Sequence, residues 1–272
     1  MTESAGSSAS EQLTKQYSAE AKAYRDYWSP VLIPMSRSLV DWLPNVDARR
    51  ILDLGAGVGT LLPVLQEKHP HAIVVGVDKA EGMLTLAEVE WPLAVMDATQ
   101  LGVREKVFDV ALMAFILFHL PDPLIGLIEA RNVLRPGGIL ALTTWGEDID
   151  APAVHVWNEE LESHGAVTCE SLQRLAQHDL MDSPEKVTGL LESAGFTDVR
   201  TDEREFVHEM QLEDFIRLRT SIGGNKQRFE SLDDITQKRC LEKARARLSK
   251  ESTPRVHLQM KAILASARSP LG

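Results

Sequence analysis

The 272-residue sequence predicts a doubly wound α/β fold with a mostly parallel, seven-stranded sheet, on three observations. Short apolar runs alternate with helical stretches from about residue 50 to residue 145. The runs are apolar throughout rather than at every second residue, so both faces of the sheet must be covered by helices. The first run, Arg50 to Leu54, passes straight into glycines at 55, 57 and 59 and then into a helix, the strand-turn-helix start that such sheets share.

In order, Arg50 to Leu54 reads as a strand, Leu61 to Lys68 as a helix, Ile73 to Val77 as a strand and Gly82 to Glu88 as a helix. Leu93 to Met96 is a short strand, Val107 to Ala114 a buried one, Leu124 to Leu134 a helix and Ile139 to Trp145 a strand. Before them, Leu13, Tyr17, Ala21, Tyr24 and Trp28 recur at near-helical spacing, which predicts a leader helix from Glu11, a break at Pro30 and a second helix over Met35 to Trp42. Residues 1–10 are too polar to order themselves and are expected as a disordered tail. The leader, residues 11–47, is then a helical lid on a domain spanning residues 48–272. After Trp145 the text turns polar and helical (152–165 and 168–178). Glu185 to Ser193 is amphipathic with Gly195 as its stop. Thr197 to Glu209 alternates as a strand, residues 213–221 and 234–250 are helical, and Val256 to Leu264 alternates as the last strand. Helical cap segments are thus expected at about 150–180 and 211–252.

The net charge is −11 and 44% of residues are hydrophobic. A chain of this length buries a core without staples. Its acidity argues against a sequence-independent grip on nucleic acid or an anionic bilayer, both of which require Lys and Arg. Cys169 and Cys240 have no CxxC partner, so neither a disulfide framework nor structural zinc is expected. Asp148 and Asp150 lack a third ligand for magnesium, and no metal is expected. The longest apolar run, Val110 to Phe118, is about half of what a membrane span needs. The N-terminal MTESAGSSAS lacks the pattern of a secretory signal. A cytoplasmic monomer or homodimer is the expectation.

The chemistry concentrates in ILDLGAGVGT, residues 51–60. A dinucleotide fingerprint would place a third glycine at 60, which is Thr60. Asp53 would be a poor neighbour for a pyrophosphate and a good one for a cation, so the ligand implied is nucleoside-like and positively charged. Asp78 ends the second strand, where a carboxylate can accept from both ribose hydroxyls. Asp97, after the next strand, can accept from an adenine amino group. Three acids at the ends of three successive strands fall on the ligand-binding edge of such a sheet.

ILDLGAGVGT, VVGVDKAEGML, MDATQL, FDVALMAFILFHLPDP and EARNVLRPGGILALTTW together resemble, in order and spacing, the motifs of class I S-adenosylmethionine-dependent methyltransferases. The style is that of the small-molecule group that includes the ubiquinone and menaquinone biosynthesis enzymes. The resemblance covers residues 48–145 closely and implies a Rossmann-like methyltransferase fold with S-adenosyl-L-methionine as cofactor. It implies that Asp53, Gly55, Ala56 and Gly57 hold the methionine moiety and that Asp78 and Lys79 lie at the ribose. Met83 would pack on the adenine, Asp97 and Ala98 would frame its edge, and Ala114 and Phe115 would line the path to the sulfonium. Tyr17 and Tyr24 are similar to leader aromatics that close over the cofactor. Lys79 stands where a small or neutral residue is commoner, and Phe118 replaces a frequent His.

Methyl transfer needs collinear reactants and exclusion of water, with a base only if the nucleophile carries a proton. His119 is the candidate base, although a His at a strand end also serves to satisfy loop carbonyls. Candidate substrate contacts are Trp28, His155 and Arg217. Arg217 belongs to FIRLRTSIGGNKQRF, whose Arg217, Arg219, Lys226 and Arg228 have no acid among them and could receive an anionic small-molecule substrate, or simply form a solvated face. Arg217 and Arg219, two apart, cannot both face one pocket. Three other functions stay open. Action on a macromolecule is disfavoured by the absence of an Asn-Pro-Pro-Tyr or Pro-Cys motif, dinucleotide-dependent redox chemistry by Thr60 and Asp53, while S-adenosylmethionine binding without transfer is compatible with every motif.

Overall fold

The computed structural model describes residues 2–87, 90–147, 151–167, 178–251 and 255–271. The leader consists of α1 (Thr2–Ala23), a π-helical turn (Tyr24–Trp28) and α2 (Ser29–Trp42). It departs from expectation twice. The tail expected over residues 1–10 is helical from Thr2, because lengthening an established helix gains a hydrogen bond for each residue fixed. Pro30 does not break the leader but stands in the first turn of α2, where its missing N–H needs no partner. The chain reaches it through the π-helical turn.

The core follows as β1 (Arg50–Leu54), α3 (Leu62–Lys68), β2 (Ile73–Asp78), α4 (Glu81–Leu84), β3 (Leu93–Val95), β4 (Phe108–Ala114), α5 (Pro123–Val133) and β5 (Leu134–Trp145). Then come α6 (Pro152–Ser163), α7 (Pro184–Ser193), β6 (Thr197–Gln211), α8 (Leu212–Ser221), α9 (Gly223–Glu230), α10 (Asp234–Glu251) and β7 (Arg255–Arg268). The seven strands lie in the order β3-β2-β1-β4-β5-β7-β6. β1 to β5 pair in parallel, and β7 runs antiparallel to both neighbours. Strand order reverses between β1 and β4, and in such sheets the crevice at the carboxyl ends there is where ligands bind.

The strand period of two distributes the apolar residues to both faces. Val110, Leu112, Ile139 and Ala141 pack under Leu39 and Val40 of α2 and Leu62 and Leu65 of α3. Their neighbours Ala111, Met113, Leu140 and Leu142 pack on the opposite side, with Leu127 and Ala130 of α5 and Val187 and Leu191 of α7. A third cluster lies beyond the sheet: Trp157, Phe215, Cys240 and Leu248 bind α6, α8 and α10 to the outer reaches of β6, at Met210, and of β7, at Val256 and Leu258.

Helix α9 falls within the expected 211–252 cap segment but between the two helical stretches read there. Its first residues are Gly223 and Gly224, poor helix formers, and the Gly223 N–H is capped from a distant element, the Glu20 carboxylate of α1, at 2.9 Å. The second helical stretch expected near 168–178 falls on residues outside those described, apart from a short 3-10 turn at His178–Leu180. β5 starts five residues earlier than expected, since Leu134 already pairs with Phe108.

One carboxylate ties the start of three strands. Asp109 Oδ2 accepts from the Arg49 and Arg50 N–H groups at 2.8 and 2.9 Å, and Oδ1 accepts from Arg135 at 2.6 Å. Replacing Asp109 with Ala is expected to lower stability by about 2 to 3 kcal/mol, since the backbone donors lose a charged acceptor. Urea unfolding checks this, and an unchanged midpoint would contradict it.

Candidate functional site

The loop after β1 turns on Gly55, Gly57 and Gly59, all at positive φ (72°, 56° and 77°), which L side chains resist. A side chain at 55 would also overlap Ile116. The Gly55 and Ala56 N–H groups donate to the Val77 carbonyl at 2.8 and 3.0 Å, which locks the loop to the end of β2. Asp78 secures it further, with Oδ2 accepting from Gly57 N–H at 2.9 Å and Oδ1 from Ala80 N–H at 2.8 Å. Phe115, directly after β4, holds a positive φ of 57°, an uncommon conformation for a bulky residue that marks functional sites when the surroundings enforce it.

These elements open onto a cleft at the carboxyl ends of β1, β2 and β4. Its walls bring together Tyr17, Tyr24, Gly55, Gly57, Asp78, Lys79, Met83, Asp97, Ala98, Ala114, Phe115 and His119, residues that the sequence reading assigned to one site. An inner pocket continues past Gly55 and Phe115 and adds Asp53 and Ala56. The sequence reading missed Ser10, Leu13 and Thr14 of α1, and Met96 and Ile116. It also missed Ser29, whose hydroxyl meets that of Thr60 at 3.0 Å in the inner pocket. Nothing local marks these residues, since α1 reaches the cleft only through tertiary packing.

Asp53 is the most unusual group in the molecule. It is 1% exposed and neither carboxylate oxygen has a hydrogen-bond partner. Burial, aided by the charge of Asp78, pushes its pKa up to about 7. Burial also raises Asp78, against the pull of the N–H groups of Ala80, Gly57 and Lys79. The site therefore asks for a compact cation beside Asp53. At the other end, Lys79 Nζ lies 2.7 Å from Asp97 Oδ2 and 3.0 Å from Ser10 Oγ. Burial works to raise Asp97, but the bonds from Lys79 and Thr99 outweigh it and hold the carboxyl below its usual range. The unexpected lysine thus fixes Asp97 and joins it to α1.

The leader closes the cleft. Gly82 of α4 lies so close to α1 that a side chain there would strike the Ser18 backbone. Tyr17 Oη meets His119 Nε2 at 2.9 Å, and the Tyr17 ring packs edge-on against Tyr24 at 5.9 Å. Burial, with the neighbouring His178, pushes the His119 pKa down to about 3, and burial raises both tyrosines. All three are neutral at physiological pH.

A second, larger cavity of about 980 Å³ lies beyond Trp145. Trp28 and His155, expected at the substrate, line it. Phe115 packs against Trp145 in a tilted arrangement at 4.5 Å and Trp28 lies 6.0 Å from Trp145, so these rings form the wall between cavity and cleft. Arg217 is a correction: it is exposed on the outer face of α8, 3.4 Å from Asp214, and does not line the cavity. Its neighbour Arg219 does. Asp148 and Asp150 lie outside the described residues.

Fold and site together define the class: a Rossmann-like sheet with acids at the ends of β1 and β2 and beyond β3, built to hold a cationic nucleoside. Comparison with known proteins carries this further. Residues 52–142 match the family described as "Methyltransferase domain". Aklanonic acid methyltransferase DauC of Streptomyces sp. strain C5 is 31% identical over 147 residues, 51% of this chain and 67% of the relative. A malonyl-[acyl-carrier protein] O-methyltransferase of Geobacter sulfurreducens is 30% identical over 186 residues, 66% of this chain and 67% of the relative. Among solved structures, the YcgJ protein of Bacillus subtilis superposes with a TM-score of 0.56 at 16% identity, covering 88% of this chain and 99% of that one, a likeness of fold. The chain belongs to the S-adenosylmethionine-dependent methyltransferases, and S-adenosyl-L-methionine is its cofactor.

The residues present fit that group, since its α-ammonium is the compact cation that the unpartnered Asp53 lacks. Asp53 in the free protein is protonated below about pH 7, and a bound ammonium favours its ionised form, so binding releases a proton at low pH. Affinity for S-adenosylmethionine is therefore expected to be about tenfold higher at pH 7.5 than at pH 5.5. Asp53→Asn should bind weakly at both and lose the difference. Calorimetry at the two pH values checks this, and equal wild-type affinities would contradict it.

Proposed function

We propose that this protein transfers the S-adenosylmethionine methyl group in line to a small-molecule acceptor. The observation that carries the reading is the buried, unpartnered Asp53 at the head of a cleft that also gathers Asp78 and Asp97. When bound, the cofactor supplies an electrophilic methyl on a sulfonium with a neutral thioether as leaving group. Asp53 would hold the ammonium, Asp78 the ribose through its remaining lone pairs, and Asp97 and Ala98 the adenine edge, with Met83 against the ring. Ala114 and Phe115 would line the transfer end. Tyr17 and Tyr24, held over the cleft by α1, would exclude water, which strengthens every electrostatic contact beneath them.

His119 is proposed to position rather than to take a proton. Its Nε2 is spent on Tyr17, and a group with a pKa near 3 gives little driving force for proton abstraction at neutral pH. The acceptor then arrives with its nucleophilic atom already ionised or carrying no proton that must leave. Relatives named for acidic acceptors, aklanonic acid and malonyl-[acyl-carrier protein], support that reading, as does the net charge of −11, which disfavours nucleic acid.

Incubating the protein with methyl-labelled S-adenosylmethionine and a metabolite panel should give a labelled small molecule and stoichiometric S-adenosylhomocysteine. Label that stays on the cofactor across the panel would contradict the reading. With the acceptor in hand, His119→Asn is expected to lower kcat less than about tenfold and leave the shape of the pH-rate profile unchanged. Loss of a general base typically costs 10²- to 10⁴-fold, and a loss of that size would overturn the positioning role.

A further inference from the structure

The basic stretch from Arg217 to Arg228 is mostly neutralised by other elements. Arg217 pairs with Asp214. Lys226 lies 3.2 Å from Glu20 and 3.6 Å from Glu230. Arg228 reaches Asn158 at 3.2 Å and Glu162 at 3.5 Å. Arg219 differs: among the described residues no carboxylate pairs with it and its guanidinium rests on the Phe215 ring at 5.1 Å, while its Nε, like that of Arg228, is buried without a hydrogen-bond acceptor.

Helix geometry explains the contrast. Residues four apart share a face and residues two apart do not, so the buried Phe215 carries Arg219 inward while Arg217 points to solvent. The stacked, half-buried guanidinium is stiff and little solvated, a state that favours bidentate capture of a planar anion. Burial pulls its pKa down to about 10, so it remains charged at neutral pH.

Arg219 opens on the 980 Å³ cavity. Among the described lining residues the other charged groups do not answer it. Asp182 is 2.7 Å from Lys186 and Lys261 is 3.3 Å from Glu203, while Glu147 and Asp179 are exposed at the rim. An unpaired buried charge is expensive, and a ligand anion would compensate it. The remaining walls include the indoles of Trp28 and Trp145, and Met260, which favour a flat apolar body. Trp145 backs onto Phe115 of the cofactor cleft.

We propose that Arg219 is the anion receptor of the acceptor site: it binds a carboxylate of the acceptor in the cavity beyond Trp145, and the rest of that molecule lies along Trp28 and Trp145 toward the transfer end. This rests on the methyl-transfer reading only for the word acceptor, because the anion site stands on its own geometry. A carboxylate clamped by Arg219 is a poor nucleophile, so the anchoring group and the methylated atom are separate.

The test is calorimetry on the S-adenosylhomocysteine-loaded protein with aromatic and aliphatic carboxylates, benzoate, 2-naphthoate, anthracene-2-carboxylate, octanoate and glutarate, each beside its neutral primary amide. At least one acid should bind about tenfold or more tighter than its amide, the discrimination that a charge-assisted bidentate pair supplies. Arg219→Ala and Arg219→Met should abolish that preference while retaining S-adenosylhomocysteine affinity and a cooperative melting transition, which for Arg219→Met lies no lower than that of wild type. Arg219→Lys should recover part of it, and Arg217→Ala should leave it intact. If every acid binds no better than its amide, if no acid binds, or if the preference survives in the folded Arg219 variants, the proposal is overturned. Should an Arg219 variant fail to fold, loss of the preference in Arg217→Ala or its absence from wild type still decides against it. A protein that shows the Arg219-dependent preference yet transfers no methyl group overturns the methyl-transfer reading and leaves the anion site standing.

Discussion

A carboxylate buried without a single donor is costly, because desolvation of the charge is repaid only by a partner. Asp53 is held in that condition by its place in the fold. It sits in β1, beside the point where strand order reverses, flanked by Leu52 and Leu54, which are wholly buried. The hydrogen bonds of β1 to β2 and β4 leave it no freedom to turn toward water. The folded carboxyl has a raised pKa, so ionising it opposes the fold as pH rises through about 7, and a bound cation relieves that opposition. The rest of the site answers the same constraint. The glycine loop leaves room for a ligand to approach, Asp78 fixes that loop, and residues of the leader line the cleft wall.

Two neutral aromatic groups and a neutral histidine form the roof over this charge. Tyr17 reaches His119 across 102 residues of sequence, and Lys79 reaches both Ser10 and Asp97. The leader is therefore tied to the catalytic domain at both ends of the cleft by polar contacts, while Gly82 permits the close crossing between them. The apolar clusters on the two faces of the sheet do not include α1, whose Ala21 packs instead in a small separate group with Val58, Ala80 and Met83.

The fold was readable because its signals are local. The apolar strands, the glycines at positive φ and the acids at strand ends are properties of short segments, and those from Asp53 to His119 lie around one cleft and its inner pocket. What was misjudged depends on tertiary packing. The Glu20 cap on α9 comes from a neighbour far away in sequence. Arg217 and Arg219 illustrate the limit well. Their spacing shows that one must face away from the other, but only the packing of Phe215 and Leu218 against the cap cluster decides which.

The division of labour is then physical. About a hundred residues gather acids around a cleft that suits a cationic nucleoside, and the cap built on β6 and β7 surrounds an aromatic cavity with one uncompensated arginine among its described lining residues. The most direct check is the titration of Asp53 itself, followed through its carboxyl carbon by NMR in the free protein and in the complex with S-adenosylhomocysteine. The free protein should titrate near 7, and the complex below about 5, as an opposed ammonium favours the ionised form. A free-protein value near that of an ordinary aspartate, about 4, or the same value in both states, would contradict the account.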